Sequence, residues 1–343
     1  MADDGAARTP GGERAGLPTY AQLRDRQGAP AGSSWGLFGD ADELGTVALL
    51  TPQRVLAAAR TVRRGAVFRL DLPIDAFDPP LASSRGVPRH TIFQRDPNHR
   101  DDLVDGLYLQ ATSQVDGLRH FRHWEHGFYN GVADDRVREG SPDLGIQRWA
   151  EHGIVGRGVL VDLPRYLRSL DDDWDPAGWR AFTVGELEGA LAYQGVALRD
   201  GDILLLRTGW LATVLAHDVD RRRAFAAAPT SPGLEQSEEM LAWLWDHRLA
   251  MVASDNMAVE ALPPATDSPF VSGREAAGER GPHTGLMHRA LIPLLGFALG
   301  ELWDLDALAA DCAADGVWET LLVVTPLHVV GGVGSPANVV AVK

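Results

Sequence analysis

Apolar and polar positions along this chain switch repeatedly between a helical and a strand period. From Thr51, TPQRVLAAARTV has an N-cap Thr, a Pro at the first helical position and apolar residues at helical spacing, which predicts a helix. FTVGELEGALAYQGV, from Phe182, predicts a second helix, opened by Thr183 with Glu186 placed for a capping box. SEEMLAWLWDHRLAMVASDN reads as a helix running into the strand LAMVAS. HTGLMHRALIPLLG reads as a helix, FALGELW as an extended segment and DLDALAADCAADG as another helix. AVFRLDLPI, from Ala66, alternates as a strand does. GVLVDLP from Gly158 and GDILLLRTGW from Gly201 are short apolar runs bounded by Gly and Asp, the pattern of buried strands. TLLVVTPLHV, from Thr320, predicts a late strand.

Interleaved strands and helices predict one α/β domain of enzyme size, over residues 18–343. No internal repeat and no clean linker divides it. Residues 1–17 are rich in Gly, Ala and charge and are expected to form a disordered tail. The Pro- and Gly-rich stretches 75–90, 231–234 and 263–282 read as connections, of the kind that often lines or covers a site.

Composition narrows the function. The chain has 343 residues, 45% of them hydrophobic, enough for a sizeable core. Its net charge of −15 and the lack of a basic stripe argue against nucleic acid or an anionic membrane as partner. A small-molecule substrate is expected instead. One cysteine, Cys312, excludes an intrachain disulfide and suggests a reducing compartment. Its setting, LAADCAADG, reads as that of a buried structural thiol. The N-terminus carries no apolar targeting segment, and no window reaches about 18 uninterrupted apolar residues. The expected setting is cytoplasmic.

The densest chemistry lies in SQVDGLRHFRHWEHG, residues Ser113 to Gly127. Asp116, His120, His123, Glu125 and His126 fall within eleven positions. A carboxylate and an imidazole four residues apart can face one site from a helical turn or a tight loop, as metal ligands or as an acid–base pair. A solvated loop of mixed charge fits the same spacing. Three further segments join it. His288 lies in a predicted helix, and Glu301 sits in an apolar run, where a carboxylate needs a partner or a metal. Arg207 and Thr208 end a strand, a usual place for ligand-binding groups, although Arg207 could equally serve the structure. His328 and the glycine run of PLHVVGGVGSPAN could form a tight loop against the site. Trp124, beside the histidines, is either core or the wall of an aromatic pocket. There is no G-x-S-x-G elbow, no G-x-G-x-x-G after a strand and no H-E-x-x-H.

These segments resemble the putative cyclase family, which includes bacterial kynurenine formamidase and isatin hydrolase. The similarity runs from SSWGLFGDADELGTVALLTP through SQVDGLRHF, GIQRWAEHGIVGRGVLVDLP and GDILLLRTGW to HRALIPLLGFALGELWDLDALA and PLHVVGGVGSPAN. It implies a single domain of the swivelling β/β/α type with a central barrel-like mixed sheet, assembled as a homodimer or homotetramer. It also implies a hydrolase of a small amide, lactam or ester that uses a divalent ion, Mn²⁺ or Zn²⁺. The family motif is H-x-G-T-H-x-D-x-P-x-H, followed by a helix His and a later Glu. On this chain Asp116 matches the metal-binding Asp and His120 the proton-transferring His. His288 and Glu301 resemble the later ligands, and the two early histidines fall on Gln110 and Gln114.

An amide oxygen suits Mn²⁺ or Mg²⁺ but is a poor zinc ligand beside imidazole. Three arrangements therefore stay open. One hard ion could be held by Asp116, His288 and Glu301 with help from Gln110 and Gln114. His123 or His126 could replace the missing imidazoles. Or the site could work without metal, as a cyclase, dehydratase or isomerase using Asp116 and His120, or as a binding protein without catalysis. In the hydrolase reading His120 is general base and acid, and Gln114 donates a hydrogen bond to the oxyanion. Arg207, Trp124 and His123 are the expected substrate contacts.

Overall fold

The computed structural model describes residues 16–281 and 283–343. Most of the expected tail, residues 1–15, lies outside them. The chain folds as a mixed α/β domain around a curled, half-barrel sheet of nine strands, the barrel-like sheet that the resemblance implies.

The strands follow the apolar runs. In chain order they are β1 (Val67–Arg69), β2 (Arg89–Asp96), β3 (His99–Asp105), β4 (Gln114–Asp116), β5 (Ile154–Asp162), β6 (Ala181–Phe182) and β7 (Ile203–Arg207). There follow β8 (Gly233–Leu234), β9 (Met251–Ser254), β10 (Ala298–Glu301), β11 (Glu319–Val324), β12 (Gly334–Pro336) and β13 (Val339–Val342). The main sheet runs β1-β13-β11-β5-β7-β9-β10-β4-β12. Its middle strands β5, β7, β9 and β10 are parallel, and the strands flanking them are antiparallel. Parallel strands are covered on both faces, which is why ILLLR and MVAS are almost continuously apolar and buried.

Helices pack on this sheet where the caps predicted them. Thr51 caps the helix Pro52–Ala59 through Arg54 N–H, and that helix packs on β5 and β11. Thr183 and Glu186 form the capping box of Val184–Gln194, and Gly195 ends that helix at φ 67°. The helix Glu238–Asp246 and the strand β9 follow each other as expected. Cys312 is buried in the helix Asp306–Asp315. No helix among the described residues is long and apolar enough to cross a membrane.

Two segments depart from the local pattern. HTGLMHRALIPLLG holds only one helical turn, His288–Leu291. Pro293 lacks the N–H that would continue it, and the chain turns through Gly296 at φ 74° into β10. The second departure is the hairpin β2–β3, which begins in the last two residues of a stretch read as a connection and pairs with itself apart from the main sheet.

Candidate functional site

β4 and β10 build the site. They pair antiparallel with Glu301 opposite Gln114 and Leu299 opposite Asp116. Side chains alternate across a sheet, so Gln114, Asp116 and Glu301 share one face. On the other side of β4, Gly334 of β12 lies opposite Asp116. A Cβ there would come within 2.7 Å of the Val115 carbonyl, 2.8 Å of Gln110 Nε2 and 3.5 Å of Asp116 Oδ1. The glycine run does therefore lie against the site, and glycine is needed to leave it room. The indole of Trp303 donates to the Gln114 carbonyl at 2.9 Å and pins β4 from below.

His288 reaches the same face from its helical turn. Its Nε2 lies 3.1 Å from Glu301 Oε1, and its Nδ1 lies 2.5 Å from Glu260 Oε1. Glu260 is wholly buried and also accepts the backbone N–H groups of Met287 and His288, at 2.7 and 2.9 Å. One carboxylate thus caps the turn and orients the ring. Burial alone would lower the His288 pKa, but the hydrogen bonds that the ring donates to Glu260 and Glu301 outweigh it and hold the ring up at about 10.

The cluster has more acceptors than donors. Ligand atoms of Asp116, His288 and Glu301 all lie within 4.8 Å of one another. Gln114 Nε2 donates to Glu301 Oε2. Both oxygens of Asp116 and Oε1 of Gln114 are buried without a hydrogen-bond partner. Burial pushes the Asp116 carboxyl up to about 6, with His120 pulling the other way. Buried acceptors left unmatched are costly. A cation would satisfy them all. One imidazole, two carboxylates and an amide oxygen form a hard donor set that suits a divalent ion taking oxygen ligands.

His120 stands at the rim. The turn after β4 closes with its N–H on the Gly117 carbonyl at 2.9 Å. Its Nε2 is 3.7 Å from Asp116 Oδ2. Burial lowers its pKa, opposed by Asp116, so the ring is neutral near pH 7. Arg119 holds this turn by donating to the carbonyls of Arg138, Ser141 and Gly331. Phe121 packs its ring against His120, His283 and His288, with centroids 5.0, 5.4 and 5.2 Å away.

Other expected residues fall elsewhere. The Gln110 side chain reaches Gly334 on the Asp116 side of the site, while its carbonyl accepts from Arg85 Nη1. Gln114 spends one amide N–H on Glu301 and leaves its Oε1 buried without a partner. His123 does not replace a missing ligand. Its Nδ1 accepts the N–H groups of Glu125 and His126 at 3.2 and 3.3 Å, and burial drives its pKa down to about 4. Trp124 and His126 stack on the His123 ring at 3.9 and 4.7 Å, and Arg289 lies 5.9 Å above Trp124. His328 is exposed and 3.2 Å from Glu151.

Arg207 is corrected from substrate anchor to structural ion pair. It bonds Asp162 and Asp306, each at 2.8 Å. Register also places it on the opposite face: Leu206 pairs with Ser254, one residue past the Ala253–Gly300 pair, so Arg207 shares its face with Gly300 and not with Glu301.

Sequence reasoning missed Glu260, Arg85, Phe121 and His283. Glu260 carried the signal that exposed Glu301, an acid inside an apolar run (AVEALPP). The others carry no local mark.

A family model described as a putative cyclase matches residues 84–261. A crystal structure described as a novel cyclase superposes with a TM-score of 0.77 at 34% identity, covering 91% of this chain and 99% of that one. Isatin hydrolase A from Ralstonia solanacearum superposes at 0.54 with 19% identity, over 85% of this chain and 98% of its own. Isatin hydrolase A from Labrenzia aggregata, bound to benzyl benzoate, does so at 0.52 with 16% identity, over 84% and 97%. At these identities the two hydrolases show a shared fold. No curated protein matches the chain.

Proposed function

The chain belongs to the putative cyclase family, and on that footing we propose that it is a metal-dependent hydrolase of a small amide, lactam or ester. The observation that carries this reading is the surplus of buried acceptors: Asp116 Oδ1 and Oδ2 and Gln114 Oε1 have no partner, beside His288 and Glu301. Asp116, His288 and Glu301 would hold the ion, with Gln114 Oε1 as a fourth donor. The amide in place of an imidazole favours Mn²⁺ or Mg²⁺ over Zn²⁺. A divalent ion there supplies Lewis acidity toward a carbonyl and lowers the pKa of water.

The remaining roles belong to the chain. Glu260 fixes the His288 ring so that Nε2 faces the cluster. Neutral His120 takes the proton of the attacking water and returns it to the departing nitrogen or oxygen. Phe121 offers an apolar wall beside the reacting carbonyl. The proposal includes a small-molecule substrate, a homodimer or homotetramer and a cytoplasmic setting, on composition and family resemblance.

A second reading rests on the 3.7 Å approach of His120 to Asp116, which could serve acid–base chemistry without metal. Elemental analysis of protein purified without added metal or chelator separates the two. About one Mn per chain in the wild type, absent from Asp116→Ala, together with metal-restored turnover of formanilides or lactams, is the expected result. No metal in either protein after incubation with Mn²⁺ overturns the hydrolase reading.

A further inference from the structure

Several buried or partly buried arginines in this protein pair with carboxylates. Arg157 bonds Asp202 and Glu319, Arg180 bonds Asp172 and Glu186, Arg207 bonds Asp162 and Asp306, and Arg289 bonds Glu275. Arg119 has no acid but spends its Nη groups on backbone carbonyls and Ser141. Arg85 differs. It is partly buried, has no carboxylate within ion-pair distance among the described residues, and makes one hydrogen bond, from Nη1 to the Gln110 carbonyl.

Its position matters more than its freedom. Arg85 lines a cavity of about 30 Å³ with Glu301, walled by Leu81, Met257 and Leu302. That is room for a water or a carboxylate group. Its charge is also felt at Asp116, His120 and His283. The Gln110 carbonyl fixes one arm of the guanidinium, leaving the rest of a rigid, planar fork beside the reacting face. Such a fork matches a carboxylate in two parallel hydrogen bonds. It also offsets the repulsion that Asp116 and Glu301 would exert on an incoming anion.

We propose that Arg85 is the anion anchor of the site, and that the substrate carries a carboxylate set apart from its scissile carbonyl. The claim deepens the hydrolase reading and rests on it for the word scissile; the anchoring itself does not require turnover. The anion-binding role expected of Arg207 falls to a residue from a loop.

The test compares the three formamidobenzoate isomers with uncharged formanilide. Calorimetric titration into the full chain incubated with Mn²⁺ reads affinity where a probe is not hydrolysed, and the ratio of kcat/KM values reads the same preference where it is. In the wild type at least one carboxylated isomer should bind ten-fold or more tighter than formanilide. Arg85→Met should reduce that ratio at least ten-fold while Mn²⁺ content is kept. Arg85→Lys, which keeps the charge and loses the fork, should reduce it several-fold and make it more sensitive to salt; it carries the test if Arg85→Met does not fold. A wild type without the preference, or variants that retain it, overturns the anchor. Hydrolysis of formanilide without an Arg85-dependent preference removes the anchor and leaves the hydrolase. A preference that depends on Arg85, with no probe hydrolysed, keeps the anchor and counts against the hydrolase.

Discussion

Two strand ends in one sheet carry buried charge in opposite ways. At the end of β7, Arg207 lies between Asp162 and Asp306, and its donors meet acceptors at 2.8 Å on both sides. At the end of β10, Glu301, Asp116 and Gln114 face one another with acceptors to spare. The first arrangement is complete within the chain and needs nothing more. The second is stable only if protons or a cation supply what the chain withholds. A saturated ion pair marks structure, and a buried surplus of one kind marks a site.

The comparison fails if Arg207 serves the reaction. Arg207→Met takes from the nearly buried Asp162 its 2.8 Å partner and leaves Arg165 at 3.4 Å, so stability should fall by roughly 1–3 kcal/mol. Metal content should not change. Chemical denaturation and elemental analysis of the same preparation check both, and a stable variant that has lost its metal would make the two ends one functional unit.

A sharper cut lies inside the site. Glu260→Gln keeps the shape of the side chain but removes the charge that orients His288. Outer carboxylates of this kind typically change metal affinity by about 10–100-fold. Titration with Mn²⁺ should show that loss, and the melting temperature should fall as well, because the new amide nitrogen would face the N–H of Met287 or His288. An unaltered affinity would reduce Glu260 to a helix cap.

The smallest expected effect is a slope. In metal-free protein the Asp116 carboxyl titrates near 6 instead of 3.8. An acid whose pKa rises on folding binds its proton more tightly in the folded state. Its stabilisation is fully present below ~pH 4 and is lost as pH rises through about 6. His288, held at about 10, stays charged across that window. Metal-free wild type should therefore lose stability between those pH values relative to Asp116→Asn. Parallel stability curves would mean that Asp116 is already satisfied without a cation.

Much of the fold was legible because it is local. Thr51 with Pro52, and Thr183 with Glu186, announce helix starts through hydrogen bonds that span three residues. The strands β5, β7 and β9 show as apolar runs because both faces are covered. The hairpin β2–β3 was missed because its residues are mostly exposed and carry no apolar face to read. The helix expected around His288 was shortened by Pro293 and by the non-local cap from Glu260.

At the site the sequence by itself determined the chemical types. Asp116, His288 and Glu301 stand out as polar groups in apolar settings, and two glutamines stand where the family motif has histidines. Their convergence was decided by tertiary structure. Strand register sets Glu301 opposite Gln114, and a one-residue slip would have turned it to the face of Arg207. Glu260 reaches His288 across 28 residues, and Arg85 reaches Gln110 across 25. Local propensity and periodicity act over a few residues, whereas which groups are left unmatched in the interior depends on every long-range contact made at once.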